Sequence, residues 1–198
     1  VAMTKLITFT PTNGGSAMPT IQGDVTVFDV ASGTRRLILD GPTVTARRTA
    51  AVSALGARWL APDTAGPMLI VGAGVQGRAH LEVFAQVLGV RRFAIASRSR
   101  ASAQALVDHA QALGLQAEVA LDADAALADC SLVVTCTPAS GVVLRASPRA
   151  DAFIAAVGAF TPQMVELAPA LCRHVADHGR IVVDTREAEH EAGDLLQA

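Results

Sequence analysis

Three glycines at positions 72, 74 and 77 form the clearest chemical pattern of this sequence. They follow the apolar run Met68–Val71 directly, in the spacing G-x-G-x-x-G. In this pattern the first glycine permits a tight turn, the second lets a pyrophosphate approach the backbone, and the third lets the next helix lie close to the strand. The helix N-terminus adds free N–H groups and a partial positive charge of about +0.5. The run predicts a dinucleotide site at Gly72, Ala73, Gly74, Val75 and Gln76, with a purely structural turn as the alternative.

The second strand of such a unit carries the residues that select the cofactor. Here the run from Phe93 to Ala96 ends in the sequence Ser-Arg-Ser-Arg, residues 97–100, without a carboxylate. An acidic residue at this point would bond the 2′-hydroxyl of NAD, whereas hydroxyls and guanidiniums suit the 2′-phosphate of NADP. Ser97, Arg98 and Ser99 are therefore predicted to bind NADPH, and NADH is the alternative. The structural alternative is that Ser99 caps the next helix and that the arginines are solvated.

Two further runs place polar residues at strand ends. The sequence Thr-Cys-Thr-Pro follows a buried strand at residues 135–138, and Val157 with Gly158 follows the next one. Ligands of parallel sheets lie outside the carboxyl ends of the strands, so we predict cofactor contacts at Thr135, Thr137 and Val157. Cys136 has no neighbouring histidine that would make it a nucleophile.

Cationic residues in the first third of the chain predict an anionic ligand. Lys5 is the single lysine beside fifteen arginines, and Arg48-Thr49 lie in the first half of a predicted helix. A cation near a helix N-terminus is unfavourable without an anionic partner. We therefore predict that Lys5 and Arg48 contact the substrate. The alternative is that both side chains lie on a solvated surface. His174 and His178 are four residues apart, but no third ligand for a metal is apparent, so no metal is expected.

The order of periodic segments predicts an α/β chain. Residues 5–10, 21–29 and 36–39 indicate an antiparallel hairpin or meander, and a helix capped by Thr43 then runs to Leu60. Strands and helices alternate from residue 68 onward, ending with a sixth strand at 181–183, which is typical of a Rossmann-type parallel sheet. The predicted domains are 1–62, part of a smaller antiparallel α+β substrate and dimerisation domain; 63–186, the dinucleotide-binding domain; and 187–198, the start of a helix returning to the first.

Composition narrows the classes of partner. The net charge of −2 and the 4% aromatic content argue against nucleic acid. No apolar run approaches the roughly 18 residues that span a bilayer. Three cysteines without a C-x-x-C pair favour a reducing cytoplasm.

Several motifs in order resemble the ornithine cyclodeaminase/μ-crystallin family. They cover residues 5–13, 18–23, 45–51 and 72–77, and then Val157-Gly158 with Glu166-Leu167. The resemblance spans nearly the whole chain and implies a dinucleotide-binding domain joined to an antiparallel domain for substrate binding and dimerisation. Family members are usually longer at both ends, so we expect a piece of a longer protein, and a homodimer.

The resemblance also implies roles for individual residues. Lys5 matches a lysine that contacts the substrate carboxylate or the reacting nitrogen, and Arg48 matches an arginine at the junction of cofactor and substrate. Arg48 and Thr49 are expected to contact the cofactor. The cofactor contacts of NADP-using members fall on Ala73 to Gln76 and Ser97 to Ser99. A further substrate-binding arginine of the family would lie upstream of Val1.

One departure from the family pattern bears on the reaction. Cyclodeaminases carry an aspartate shortly after the Val-Gly pair, and Phe160 stands at that position here. A phenyl ring cannot carry a proton, so the resemblance implies reduction of a cyclic ketimine carboxylate, Δ1-pyrroline-2-carboxylate or Δ1-piperideine-2-carboxylate, by NAD(P)H. The alternatives are an ornithine cyclodeaminase, an amino-acid dehydrogenase, or a non-catalytic NADP-dependent binding protein like μ-crystallin.

Overall fold

A computed structural model describes residues 1–13, 18–138 and 140–198 of the chain. The chain folds into two compact units, Val1–Thr49 and Ala50–Ala198. The domain limits predicted from the sequence motifs, 1–62, 63–186 and 187–198, stay predictions.

The first unit contains a three-stranded antiparallel sheet. Its strands are β1 (Ala2–Phe9), β2 (Ile21–Phe28) and β3 (Arg35–Asp40), in the order β1-β2-β3. The predicted meander is therefore confirmed. Pro11–Asn13 forms one 3-10 turn after β1, and residues 14–17 of the predicted loop lie outside the described residues.

Helix α1 (Gly41–Leu60) follows β3 without a loop. The prediction of Thr43 as its cap was wrong, because the carboxylate of Asp40 accepts a hydrogen bond from the Thr43 N–H at 2.8 Å. The helical spacing of the apolar residues Val44, Ala51, Val52, Leu55 and Trp59 indicates the helix but not its buried face, since Val52, Leu55 and Trp59 are exposed. The buried face consists of small residues: Ala46, Ala50, Ser53, Ala54 and Ala57.

The second unit is built on a five-stranded parallel sheet in the order β6-β5-β4-β7-β9. Its strands are β4 (Met68–Val71), β5 (Arg92–Ala96), β6 (Gln116–Val119), β7 (Leu132–Thr135) and β9 (Phe153–Ala156). Two short strands, β8 (Ser140–Leu144) and β10 (Val165–Leu167), form a separate parallel pair that was not predicted. The helices are α2 (Val75–Leu88), α3 (Arg100–Ala112), α4 (Ala123–Leu127), α5 (Pro169–His178), α6 (Ala188–Glu191) and α7 (Gly193–Leu196).

Apolar residues cover both faces of this sheet. Successive residues of a strand point to opposite faces, so Met68 and Ile70 belong to one hydrophobic cluster, and Leu69 and Val71 to the other. All four are buried. Full burial of such side chains contributes about 1.5–3 kcal/mol each. The predicted α/β fold class with a Rossmann-type parallel sheet is confirmed.

The predicted sixth strand at residues 181–183 was wrong. Ile181, Val182 and Val183 are about half exposed and form no ladder with any described strand. Their β-branched side chains favour an extended chain, but a strand also needs a neighbour that accepts its backbone hydrogen bonds.

Candidate dinucleotide site and substrate-side residues

The glycine loop joins β4 to α2 with the geometry that its spacing predicts. Gly72 has a φ of +117°, and a Cβ there would lie 2.8 Å from the Cys136 carbonyl oxygen. A Cβ on Gly77 would lie 2.0 Å from the Gly72 carbonyl oxygen, so only glycine lets α2 lie this close to the strand. Gly74 differs from both, because a Cβ at this residue would meet no atom within 4 Å. The space above Gly74 is thus open to a ligand.

Helix α2 begins beside that space without a side-chain cap. Gly74 is its N-cap residue and, lacking a side chain, makes no side-chain cap hydrogen bond. Gln76 adds a side-chain oxygen that is buried without a hydrogen-bond partner among the described residues. Ala73 is half-buried and Val75 is exposed. Uncapped N–H groups beside a backbone that carries no Cβ fit the pyrophosphate of a dinucleotide.

The register of the sheet brings the other predicted strand ends to the same edge. Val71 pairs with both Ala96 and Thr135, and Thr135 pairs with Ala156. The residues that follow these strands therefore lie beyond one carboxyl edge, where ligands of parallel sheets bind.

The tip of β5 carries exposed arginines. Arg98 and Arg100 are exposed and form no ion pair within the described part of the chain. The Ser99 hydroxyl accepts a hydrogen bond from the Ser102 N–H at 3.2 Å and so caps α3, as predicted. The Ser97 hydroxyl accepts one from the Ser99 N–H at 3.4 Å. These groups are compatible with a 2′-phosphate, and cofactor selection at this tip stays a prediction.

The residues after β7 differ in their freedom to bind a ligand. Thr135, the last residue of β7, is buried, and among the described residues its hydroxyl has no partner at hydrogen-bond geometry. The Thr137 hydroxyl donates to the Glu166 carboxylate at 2.7 Å, so a protein acceptor already takes its proton. Cys136 lies between them, and burial with the nearby Glu166 charge raises the pKa of its thiol. A thiol held in this protonated form is a poor nucleophile.

Glu166 also lies at this edge. In the sequence it is recognised only as part of a family motif, and no role is predicted for it. It is fully buried on β10, and its carboxylate accepts hydrogen bonds from Thr137 N at 2.6 Å and from Gly158 N at 2.7 Å. Burial raises the pKa of Glu166, and the hydrogen bonds from Thr137 and Gly158 offset part of that rise. No local pattern could have revealed this, because the donors lie 29 and 8 residues away in sequence.

A second buried residue fixes the start of α2. His80 is fully buried, with Nδ1 2.7 Å from the Gln76 carbonyl oxygen and Nε2 2.9 Å from the Ser53 hydroxyl. A carbonyl oxygen only accepts, so Nδ1 carries the proton and the Ser53 hydroxyl donates to Nε2. Burial lowers the pKa of His80, which favours this neutral ring.

The predicted substrate-side residues belong to the first unit. Lys5 is exposed on β1, opposite Val25 of β2, and Arg48 is exposed on α1 with Thr49 beside it. Desolvation by its neighbours, and then the positive charge of Arg48, lower the pKa of Lys5. Two cations that repel each other in this way favour an anion between them.

The remaining predicted features concern Phe160, His174 and His178. Phe160 is 58% exposed after β9, so its ring is accessible rather than part of the core. His174 and His178 stack on each other in α5, with ring centroids 4.4 Å apart. Among the described residues no group of three His, Cys, Asp or Glu side chains is arranged to hold a metal ion. No helix in the described ranges combines the length and apolarity needed to cross a bilayer.

A parallel sheet covered by helices on both faces, with a glycine loop at its carboxyl edge, defines a Rossmann-type fold. The Ornithine cyclodeaminase/mu-crystallin family model matches residues 1–198. The chain belongs to this family, as its motifs indicated.

Named relatives are similar over the full chain. The Δ1-pyrroline-2-carboxylate/Δ1-piperideine-2-carboxylate reductase of Azospirillum brasilense is 39% identical over 201 residues, which cover 100% of this chain and 62% of that protein. The ketimine reductase mu-crystallin of Rattus norvegicus is 32% identical over 195 residues, covering 98% of this chain and 60% of that protein. The chain thus spans about three fifths of the length of these curated relatives.

A solved structure shows the same fold. The Thermococcus litoralis Δ1-pyrroline-2-carboxylate reductase in complex with NADH and L-proline superposes with a TM-score of 0.86 at 22% identity. The match covers 98% of this chain and 60% of that chain. At this level of identity the similarity shows the fold alone.

Proposed function

We propose that the whole protein reduces the C=N bond of a cyclic ketimine carboxylate, with Δ1-pyrroline-2-carboxylate or Δ1-piperideine-2-carboxylate as substrate. The observation that carries this proposal is the open backbone above Gly74 at the uncapped start of α2, in a chain whose relatives are named C=N reductases. A bound nicotinamide cofactor supplies the hydride equivalent for the imine carbon.

Residues of the second unit orient the cofactor in this proposal. The loop at Gly72–Gln76 and the first turn of α2 hold the pyrophosphate by backbone N–H groups. Ser97, Arg98 and Ser99 hold the 2′-phosphate, so NADPH is preferred to NADH. Thr135, Thr137 and Val157 contact the nicotinamide half. Support comes from the shared edge of the strand ends and from the exposed guanidiniums, which have no ion-pair partner among the described residues.

Residues of the first unit bind the substrate in this proposal. Arg48 holds the carboxylate, and Lys5 polarises the substrate or assists proton supply to its nitrogen. The lowered pKa of Lys5 supports a role in proton supply, since a pKa closer to physiological pH makes the ammonium group a better proton donor.

Phe160 separates reduction from deamination. An exposed phenyl ring at this position offers no proton-transferring group, whereas ring closure with loss of ammonia requires one. A flat apolar ring substrate also packs well against an aromatic side chain.

We also propose a homodimer in the cytoplasm. Met3, Leu6, Phe9 and Leu37 on the antiparallel sheet are more than half exposed, and burial against a second copy would remove this apolar surface from water. Three free cysteines favour a reducing compartment. Light scattering of the full-length protein and cell fractionation test these two proposals.

Steady-state turnover of the full-length protein tests the reaction. We expect NADPH consumption with Δ1-pyrroline-2-carboxylate and none with 2-oxo acids plus ammonia. Conversion of ornithine to proline and ammonia would contradict the interpretation of Phe160. Tight NADPH binding without turnover of any imine would instead leave a non-catalytic binding protein.

A further inference from the structure

The Glu166 carboxylate bridges two neighbouring strand ends. Its Oε1 accepts hydrogen bonds from both the N–H and the hydroxyl of Thr137, at 2.6 and 2.7 Å. Its Oε2 accepts a hydrogen bond from the Gly158 N–H at 2.7 Å. Thr137 follows β7 and Gly158 follows β9. One side chain therefore links the exits of both strands, that is, the residues that directly follow them.

These bonds begin where the sheet ladder ends. The last ladder bonds at this edge run from Cys136 N to the Val71 carbonyl and from Val157 N to the Thr135 carbonyl, each at 2.9 Å. The next N–H groups along the two strands are those of Thr137 and Gly158. Glu166 therefore takes the place of a further ladder position and fixes how the two exits diverge.

The backbone around Glu166 is adapted to this contact. A Cβ on Gly158 would lie 2.4 Å from the Glu166 carboxylate, so glycine is required for its approach. Asp194 fastens Glu166 from the other side, because its Oδ1 accepts hydrogen bonds from the N–H groups of Glu166 and Leu167 at 2.6 and 2.9 Å. No arginine or lysine of the described ranges pairs with Glu166, so its partners are the strand ends themselves.

Burial of the Glu166 carboxylate is unfavourable for stability, which indicates that its hydrogen bonds to the two strand ends have a function. A buried carboxylate without a cation loses its hydration, and three hydrogen bonds compensate only in part. An apolar residue would fill the space without that loss, but it would leave the N–H groups of Thr137 and Gly158 buried without acceptors. Thr137 follows β7 and Phe160 follows β9. Both residues therefore lie after the strand ends where we propose that the nicotinamide half and the imine bind.

We propose that Glu166 is a positioning residue for the reduction: by holding the exits of β7 and β9 together, it aligns the nicotinamide half of the cofactor with the substrate. This inference rests on the proposed function for its catalytic consequence. Its consequence for cofactor binding is independent of any turnover.

The substitution Glu166→Gln in the full-length protein tests the proposal. A glutamine amide keeps the volume but offers one acceptor oxygen and one N–H₂ donor, so a donor always faces either Thr137 or Gly158. We expect the affinity for NADPH to fall about tenfold, while that for 2′-phospho-ADP-ribose, which lacks the nicotinamide, changes less than about twofold. The kcat with Δ1-pyrroline-2-carboxylate should fall about tenfold or more, with a smaller change in the KM of the imine.

A matched stability control is Asp122→Ala in the same unit. Asp122 caps α4 with hydrogen bonds to Asp124 N and Ala125 N and contacts neither strand exit. This variant should lower the melting temperature and leave both affinities and the kcat as in the wild type.

The two proposals fail in different ways. If Glu166→Gln lowers only the melting temperature, like Asp122→Ala, the positioning role is wrong. Equal loss of affinity for NADPH and for 2′-phospho-ADP-ribose would also overturn it, since the whole site would then be distorted. A wild-type protein that turns over no imine refutes the proposed function, and the ratio of the two affinities still decides the role of Glu166.

Discussion

Replacing Gly74 by alanine separates cofactor binding from folding at the glycine loop. Gly74 has φ −87° and ψ −161°, a backbone conformation that alanine adopts without strain. A Cβ at this residue meets no protein atom within 4 Å. The added methyl group therefore points into the space that we assign to the pyrophosphate.

The expected magnitudes follow from this geometry. Without a clash or strain, Gly74→Ala should change the free energy of unfolding by at most about 1 kcal/mol, because the restriction of the unfolded chain by alanine and its poorer preference for the N-cap position oppose each other. In the complex the methyl group would separate the phosphates from the N–H groups of α2. Loss of one hydrogen bond to a charged group costs about 1.5–3 kcal/mol, which corresponds to a roughly 10- to 100-fold weaker affinity.

Urea denaturation and titration of NADPH by fluorescence measure the two quantities. Gly77→Ala is a comparison variant that should instead disturb folding, since its Cβ would lie 2.0 Å from the Gly72 carbonyl oxygen. That variant should lose about 1–3 kcal/mol of stability as α2 moves away from the strand. A Gly74→Ala protein that binds NADPH as tightly as the wild type would refute the assignment of this space.

Three further predictions concern the cofactor tip, the substrate side and buried His80. Arg98→Ala should lower kcat/KM for NADPH about 10-fold or more with little change for NADH, whereas the exposed Arg145→Ala should alter neither, as steady-state kinetics with both cofactors will show. Lys5→Ala should lower turnover about 10- to 100-fold while the Kd of NADPH stays nearly constant; loss of cofactor binding alone would contradict its substrate role. Because burial lowers the pKa of His80, the unfolded chain binds more protons in acid. The free energy of unfolding should therefore fall as the pH decreases below about 6.5, and urea denaturation of His80→Asn should show a flatter pH dependence.

The dinucleotide-binding half of the fold was predictable because its signals are local. The strand Met68–Val71, the glycine spacing and the helix after it lie within one continuous run, and steric demands at Gly72 and Gly77 make that run specific. The cap at Ser99 is likewise a contact between near neighbours. Such features depend on few distant residues, so the sequence pattern alone predicts them.

Features that depend on distant partners were not predictable from the sequence. Residues 181–183 have β-branched side chains but no described strand beside them, and they form no strand. The large apolar residues of α1, among them Trp59, are exposed, while its alanines are buried. The role of Glu166 also depends on contacts across the fold, because Thr137 and Asp194 are 29 and 28 residues away in the chain.

We propose that this protein reduces a C=N bond with a hydride taken from a nicotinamide cofactor. Incubation of the full-length protein with Δ1-pyrroline-2-carboxylate and NADPH deuterated at C4 of the nicotinamide tests it most directly, with NMR of the product. Reduction of the imine by this cofactor should give proline that carries one deuterium at C2, transferred from one face of the nicotinamide only. Proline without deuterium, or proline formed only from ornithine with release of ammonia, would contradict the claim.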